Sequence, residues 1–197
     1  MEYDLKRSKR KTVSIGFDEE CRVVVKVPLR LSVTEIERIV NRHESWIIRE
    51  RQKRREELTE RQRCFDGTIL IGGERVAFFG DVMAEYGRLA AERLPAVVDS
   101  MRALTGGEVK KLRYTNAKSY WGRCTSSGEI SLHVLLTALP LPLCEYVVVH
   151  ELTHLKHMNH SKRFWESVEQ VLPDYRDRRR RLKQYHWLTR LSEPSGS

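Results

Sequence analysis

The sequence has only four cysteines, Cys21, Cys64, Cys124 and Cys144, and no two of them form a C-x-x-C pair. This excludes a thiolate zinc knuckle and a disulfide framework, leaving buried reduced thiols as the reading. No apolar run is long enough to span a bilayer, and the charged N-terminus does not read as a secretory signal. The expected location is therefore the cytoplasm, with no membrane partner. Gly72-Gly73 is too short to cradle a phosphate and reads as a turn. No internal repeat is present, which excludes a solenoid or propeller.

Acidic residues are in deficit: 27 Asp and Glu face 36 Lys and Arg, a formal charge of +9. That balance favours acidic partners, nucleic acid first among them, through non-specific phosphate contacts. No recognised nucleic-acid fold motif accompanies it, and the basic residues are spread through amphipathic helices. A length of 197 residues allows one sizeable core, or a core with a small appended subdomain.

Along the chain, cations from Lys6 to Lys11 lead into an alternating segment, residues 12–17. After an acidic turn at 18–20, a returning strand at 22–27 completes a hairpin. Ser32 and Glu35 form a capping box, and Ile36, Ile39, Val40, His43 and Ile47 recur at helical spacing. This predicts one helix that continues, strongly charged, to Arg63, with His43 packed on its apolar face. A second hairpin is expected over 68–79, and a helix over 81–104 that Pro95 kinks or splits. A strand over 109–114 and a hairpin over 120–133 follow. The expected organisation is an N-terminal hairpin, helix and hairpin region over 1–80, a core over 81–191 and a disordered tail over 192–197.

The chemistry is concentrated in residues 141–160. His150, Glu151 and His154 form His-Glu-x-x-His, which on a helix places two imidazoles on one face with the Glu beside a metal-activated water. Tyr146, Val147, Val148, Val149, Leu152 and Leu155 make the flanks apolar, so the polar residues stand in a buried helix where unpaired groups are costly. Hydrolytic zinc sites usually take three protein ligands. His160 is the favoured third, with Asn159 expected in the left-handed conformation that would end the helix. Glu166, Glu169 and Asp174 are the carboxylate alternatives. His157, about 10 Å along a straight helix from His150, is read as a surface or supporting residue. Ser161 can cap a further helix whose Phe164 and Trp165 hold His160 in place. The arginine run from Arg178 to Arg181 reads as a solvated helix face.

Several of these residues form a recognisable order: Trp121-Gly122-x-Cys124, Ser126-x-Gly128-x-Ile130-x-Leu132, His150-Glu151-Leu152-x-His154-Leu155 and His160-x-x-x-Phe164-Trp165. It resembles the YgjP-like metal-dependent hydrolases, relatives of the SprT-like and WLM zinc proteases, and the segment from Ser8 to Ile15 resembles that family's opening. The resemblance implies an α+β, zincin-like metallopeptidase core, a small mixed β-sheet packed on the HExxH helix. It implies one Zn2+ held by His150, His154 and His160, with Glu151 as general base. It also implies a peptide or protein substrate pairing with an edge strand of the 120–133 hairpin, where Tyr120, Trp121 and Arg123 are candidate contacts. Tyr120 and Arg123 depart from the family pattern. Tyr120, Arg123 and Tyr185 are candidates for stabilising an oxyanion. The rival reading, prompted by the charge, is a DNA-associated SprT-like protease or a nucleic-acid-binding protein with a structural zinc. A catalytically silent metal-binding module is disfavoured by Glu151.

Overall fold

The computed structural model describes residues 1–18, 20–63 and 67–191. Glu19 of the acidic turn, Cys64 and the tail over 192–197 lie outside the described residues. The chain divides into two compact units, Met1–Glu60 and Arg61–Ser197.

The first unit gathers Val23, Val25 and Val27 with Ile36, Val40 and Ile47. Its three strands, β1 (Asp4–Ser8), β2 (Ser14–Phe17) and β3 (Val23–Pro28), form a sheet in the order β1-β3-β2. The antiparallel pairing of β2 with β3 is the expected hairpin, whereas β1, parallel to β3, was not legible in the cation run. All five residues of β1 are exposed, so the strand is specified by its backbone ladder with no apolar alternation to announce it.

The helix expected to run unbroken to Arg63 is two helices, α1 (Val33–Arg42) and α2 (Glu44–Arg63). Ser32 Oγ accepts the Glu35 N–H at 3.2 Å, as the capping box predicts. His43 is exposed at the break rather than packed, its N–H donating to both Ile39 and Val40 carbonyls. Ile47 instead fills the core from α2.

The second unit begins with hairpin β4 (Thr68–Ile71) and β5 (Glu74–Ala77). Gly72 and Gly73 at its turn donate N–H bonds to the Thr137 and Ala138 carbonyls, which ties the hairpin to the segment leading into residues 141–154 of the same unit. Helix α3 (Val82–Thr105) is capped by Asp81 and closed by Gly106 in the left-handed conformation. It runs continuously through Pro95, which does not split it. Strands β6 (Lys111–Thr115), β7 (Gly122–Cys124) and β8 (Glu129–His133) form a small mixed sheet in the order β6-β8-β7. Here β6 is parallel and β7 antiparallel to β8, which leaves β7 at an edge.

A 3-10 turn (Val134–Ala138) carries the chain to α4 (Leu141–His154), followed by α5 (Lys162–Val171) and α6 (Tyr175–Leu182). Helix α4 packs against α3, the sheet, α5 and α6, and its residues 146–149 and 152 are all buried. The expected α+β architecture, a small mixed sheet on the His-Glu-x-x-His helix, is the one observed. Among the described residues no helix is long and apolar enough to cross a membrane.

Candidate metal centre

Helix α4 presents His150 and His154 one turn apart, their ring centroids separated by 4.9 Å. His160 enters from the segment before α5, and its Nε2 lies 3.0 Å from His150 Nε2. One candidate ligand atom from each of the three imidazoles lies within 4.8 Å of the others, a group that could hold a metal ion. Two ligands about 2.0–2.1 Å from one ion at a tetrahedral angle are roughly 3.3 Å apart, so the nitrogen separation at His150 and His160 fits that donor set.

The tautomers agree. His154 Nδ1 lies 2.9 Å from the His157 carbonyl, and donating to it leaves Nε2 as the free lone pair. His150 Nδ1 is buried and has no hydrogen-bond partner among the described residues. Burial, with the neighbouring His154, His160 and Arg179, pushes the His150 pKa down to about 3. Burial likewise lowers that of His154. His150 is therefore neutral at physiological pH, the form that ligates a cation.

The turn that delivers His160 differs from expectation. Cys21 is the only non-glycine residue with positive φ among the described residues, so Asn159 is not left-handed. Helix α4 instead ends in a last turn in which the Thr153 carbonyl accepts the N–H groups of both Lys156 and His157, and the chain then bends at Met158 and Asn159. The bond from His154 to the His157 carbonyl then fixes the loop. His157 thus contributes through its backbone.

Ser161 Oγ caps α5 by accepting the Phe164 N–H at 3.4 Å. The cap orients two rings. Phe164 is fully buried, its centroid 4.5 Å from His154 and 4.9 Å from both His150 and His160. Trp165 stacks on His160 at 5.6 Å and 20°. The three carboxylate alternatives are engaged elsewhere: Glu166 with Lys162, Glu169 with Arg176 and Asp174 with Arg178.

Glu151 is 6% exposed and points from α4 toward β7. A Cβ at Gly122 would meet Glu151 Cγ at 2.6 Å and Oε1 at 2.8 Å. Burial raises the Glu151 pKa to about 7, partly opposed by a hydrogen bond from the Cys124 backbone N–H. A carboxylate poised near neutrality can take up and release a proton at physiological pH.

The remaining candidates are dispersed. Trp121 is buried, edge-on to His133 at 5.6 Å. Arg123 is exposed, and strand alternation turns its side chain to the face opposite Gly122 and hence away from Glu151. Tyr120 is half-buried before β7, and Tyr185 packs at the edge of the core. Three contributors escaped the sequence reading: Gly122 as a contact of Glu151, Tyr146 with its ring 6.1 Å from His150, and Arg179 with its Cζ 4.9 Å from the Trp165 centroid. Only the i, i+4 spacing of Tyr146 to His150 offered a signal.

The family model described as YgjP-like, metallopeptidase domain, matches residues 81–185. Among solved structures, the crystal structure of the metallopeptidase zymogen of Pyrococcus abyssi abylysin is similar at 24% identity. The match covers 46% of this chain and 92% of that chain, with a TM-score of 0.42. No curated protein matches the chain significantly.

Proposed function

The chain belongs to the YgjP-like metallopeptidase family, and on that premise we propose that it is a zinc-dependent peptidase with Glu151 as its general base. The observation that carries this reading is the convergence of three imidazoles, two of them on the helix that also carries the buried Glu151. His150, His154 and His160 would hold the ion. When bound, zinc supplies Lewis acidity, acidifying water and polarising a carbonyl.

The protein's own residues account for the rest. Glu151 accepts the proton of the attacking water on its carboxylate and passes it to the leaving amine. The Gly122 backbone and the Cys124 N–H fix where that carboxylate sits. Phe164 and Trp165 support the imidazoles through ring contacts and help keep them oriented. The outer edge of β7 offers an extended peptide a strand to pair with. Tyr120 and Arg123 would flank such a peptide.

The test is metal analysis of the purified protein followed by assay against unfolded protein substrates, with and without DNA. One zinc per chain and DNA-independent hydrolysis, abolished by a chelator and restored by zinc, are expected. The formal charge of +9 favours a second reading, a protease confined to DNA-bound targets. Hydrolysis that appears only when DNA is added would support that reading instead.

A further inference from the structure

Helix α6 carries five arginines, and three are engaged by carboxylates. Arg176 pairs with Glu169 at 3.8 Å, Arg178 with Asp174 at 2.9 Å and Glu145 at 2.8 Å, and Arg180 with Asp177. Arg179 has no carboxylate partner among the described residues. Its guanidinium lies over Trp165, and Trp165 lies 5.6 Å from His160 and 5.8 Å from His150, centroid to centroid. A cation is thus mounted one indole ring from the histidine triad.

The mounting is built. Arg178 donates to the Pro142 carbonyl at 2.9 Å and to Glu145, which fixes α6 against the start of α4. One turn before Arg179 on the same face of α6, Tyr175 stacks on Trp165 at 5.4 Å and 17°. A guanidinium attracted to an aromatic face keeps five N–H donors in a planar fork suited to bidentate capture of a carboxylate.

We propose that Arg179 is a specificity-determining residue of this site, binding a peptide carboxylate close to the bond that is cleaved. This rests on the peptidase reading. At about 3.3 Å per extended residue, a group one ring from the triad lies within two or three residues of the scissile bond. Arg176, Arg178 and Arg180 cannot substitute without breaking their own ion pairs. The carboxylate belongs either to an Asp or Glu side chain or to the chain's C-terminus.

Two matched pairs of short peptides distinguish these sources: Glu and Gln versions of a sequence blocked at both ends, and free-acid and amidated versions of an uncharged one. For the zinc-loaded protein kcat/KM is measured, and for zinc-loaded Glu151→Gln the Kd. The acidic member of one pair should be favoured at least about tenfold in both readouts. Arg179→Gln should bring that ratio close to one, Arg179→Lys should retain part of it, and Arg181→Gln should leave it unchanged. Zinc content of each variant shows whether the triad is intact, and should Arg179→Gln lose zinc, the ratio in Arg179→Lys decides. No preference in the parent, or a preference that survives Arg179→Gln, overturns the proposal. If no peptide is cleaved but the binding ratio behaves as stated, the peptidase reading fails and the role of Arg179 stands.

Discussion

Gly122 and Glu151 are in contact across two elements: a Cβ on the edge-strand glycine would stand 2.6 Å from Cγ and 2.9 Å from Cδ of the glutamate. The same strand sends the Cys124 N–H to that carboxylate. The sheet edge therefore sets the position of the group assigned as general base, and the smallest enlargement at 122 must move it. Gly122→Ala should leave bound zinc unchanged and lower kcat/KM by about a hundredfold, the usual scale for a misplacement near 1 Å. Zinc analysis beside a kinetic assay reads both quantities. Unimpaired hydrolysis would mean that Glu151 does not depend on this contact.

The two histidines of the loop after α4 should behave in opposite ways. His160 faces His150 through Nε2, while His157 supports His154 through its backbone carbonyl. His160→Ala should weaken zinc binding by more than the 10–100-fold typical of losing an outer hydrogen-bond partner. His157→Ala keeps the carbonyl and should bind zinc nearly as well as the parent. Competition with a chelating dye measures both, and the reverse order would transfer the ligand role to His157.

His133 gives the fold a pH signature away from the candidate metal centre. It is fully buried, and its Nδ1 accepts the Leu135 N–H at 3.1 Å, capping the 3-10 turn. Burial lowers its pKa from 6.5 to about 4. Between those values the unfolded chain holds the proton and the folded one does not, so this contribution to stability is complete above pH 6.5 and declines as the pH falls toward 4. The shift corresponds to about 3 kcal/mol. His133→Asn retains an acceptor for the cap but cannot titrate. Urea unfolding of the zinc-free protein should show a steeper loss over this interval for the parent than for the variant. Equal slopes would contradict the assignment.

Arg178 should matter for stability through its three anchors. Its side chain is 15% exposed, and it joins Asp174, Glu145 and the Pro142 carbonyl. Arg178→Met should destabilise by about 1–3 kcal/mol, because Glu145 is left partly buried and unpaired. Thermal unfolding of the zinc-free forms reads this. A change within a few tenths of a kcal/mol would show that the network is no stronger than a surface ion pair.

Much of the candidate site was legible because the relevant residues obey local rules. The i, i+4 spacing of His150 and His154, the Ser161 cap and the apolar flanks each act within one helix or turn. What escaped depends on contacts between distant segments or on backbone paths with no composition cue. β1 gains its place only from pairing with β3. Cys21 occupies a left-handed position, φ 62°, where Asp18 Oδ1 accepts the Glu20 and Arg22 N–H groups, an arrangement its residue type does not suggest. The segment before His160 bends at Met158 and Asn159 without a left-handed residue, after a last helical turn closed on the Thr153 carbonyl. His43 carried the helical period of its neighbours yet sits at the helix break. Gly122 and Arg179 acquire meaning only once β7 and α6 are packed on α4.

The assignment of Glu151 is tested most directly by comparing bound zinc and peptide hydrolysis in the parent and in Glu151→Gln. The amide is nearly isosteric with the carboxylate but cannot accept the proton. Zinc retained at one ion per chain with hydrolysis lost by at least about a thousandfold is expected. Zinc retained with hydrolysis equal to the parent's would contradict it.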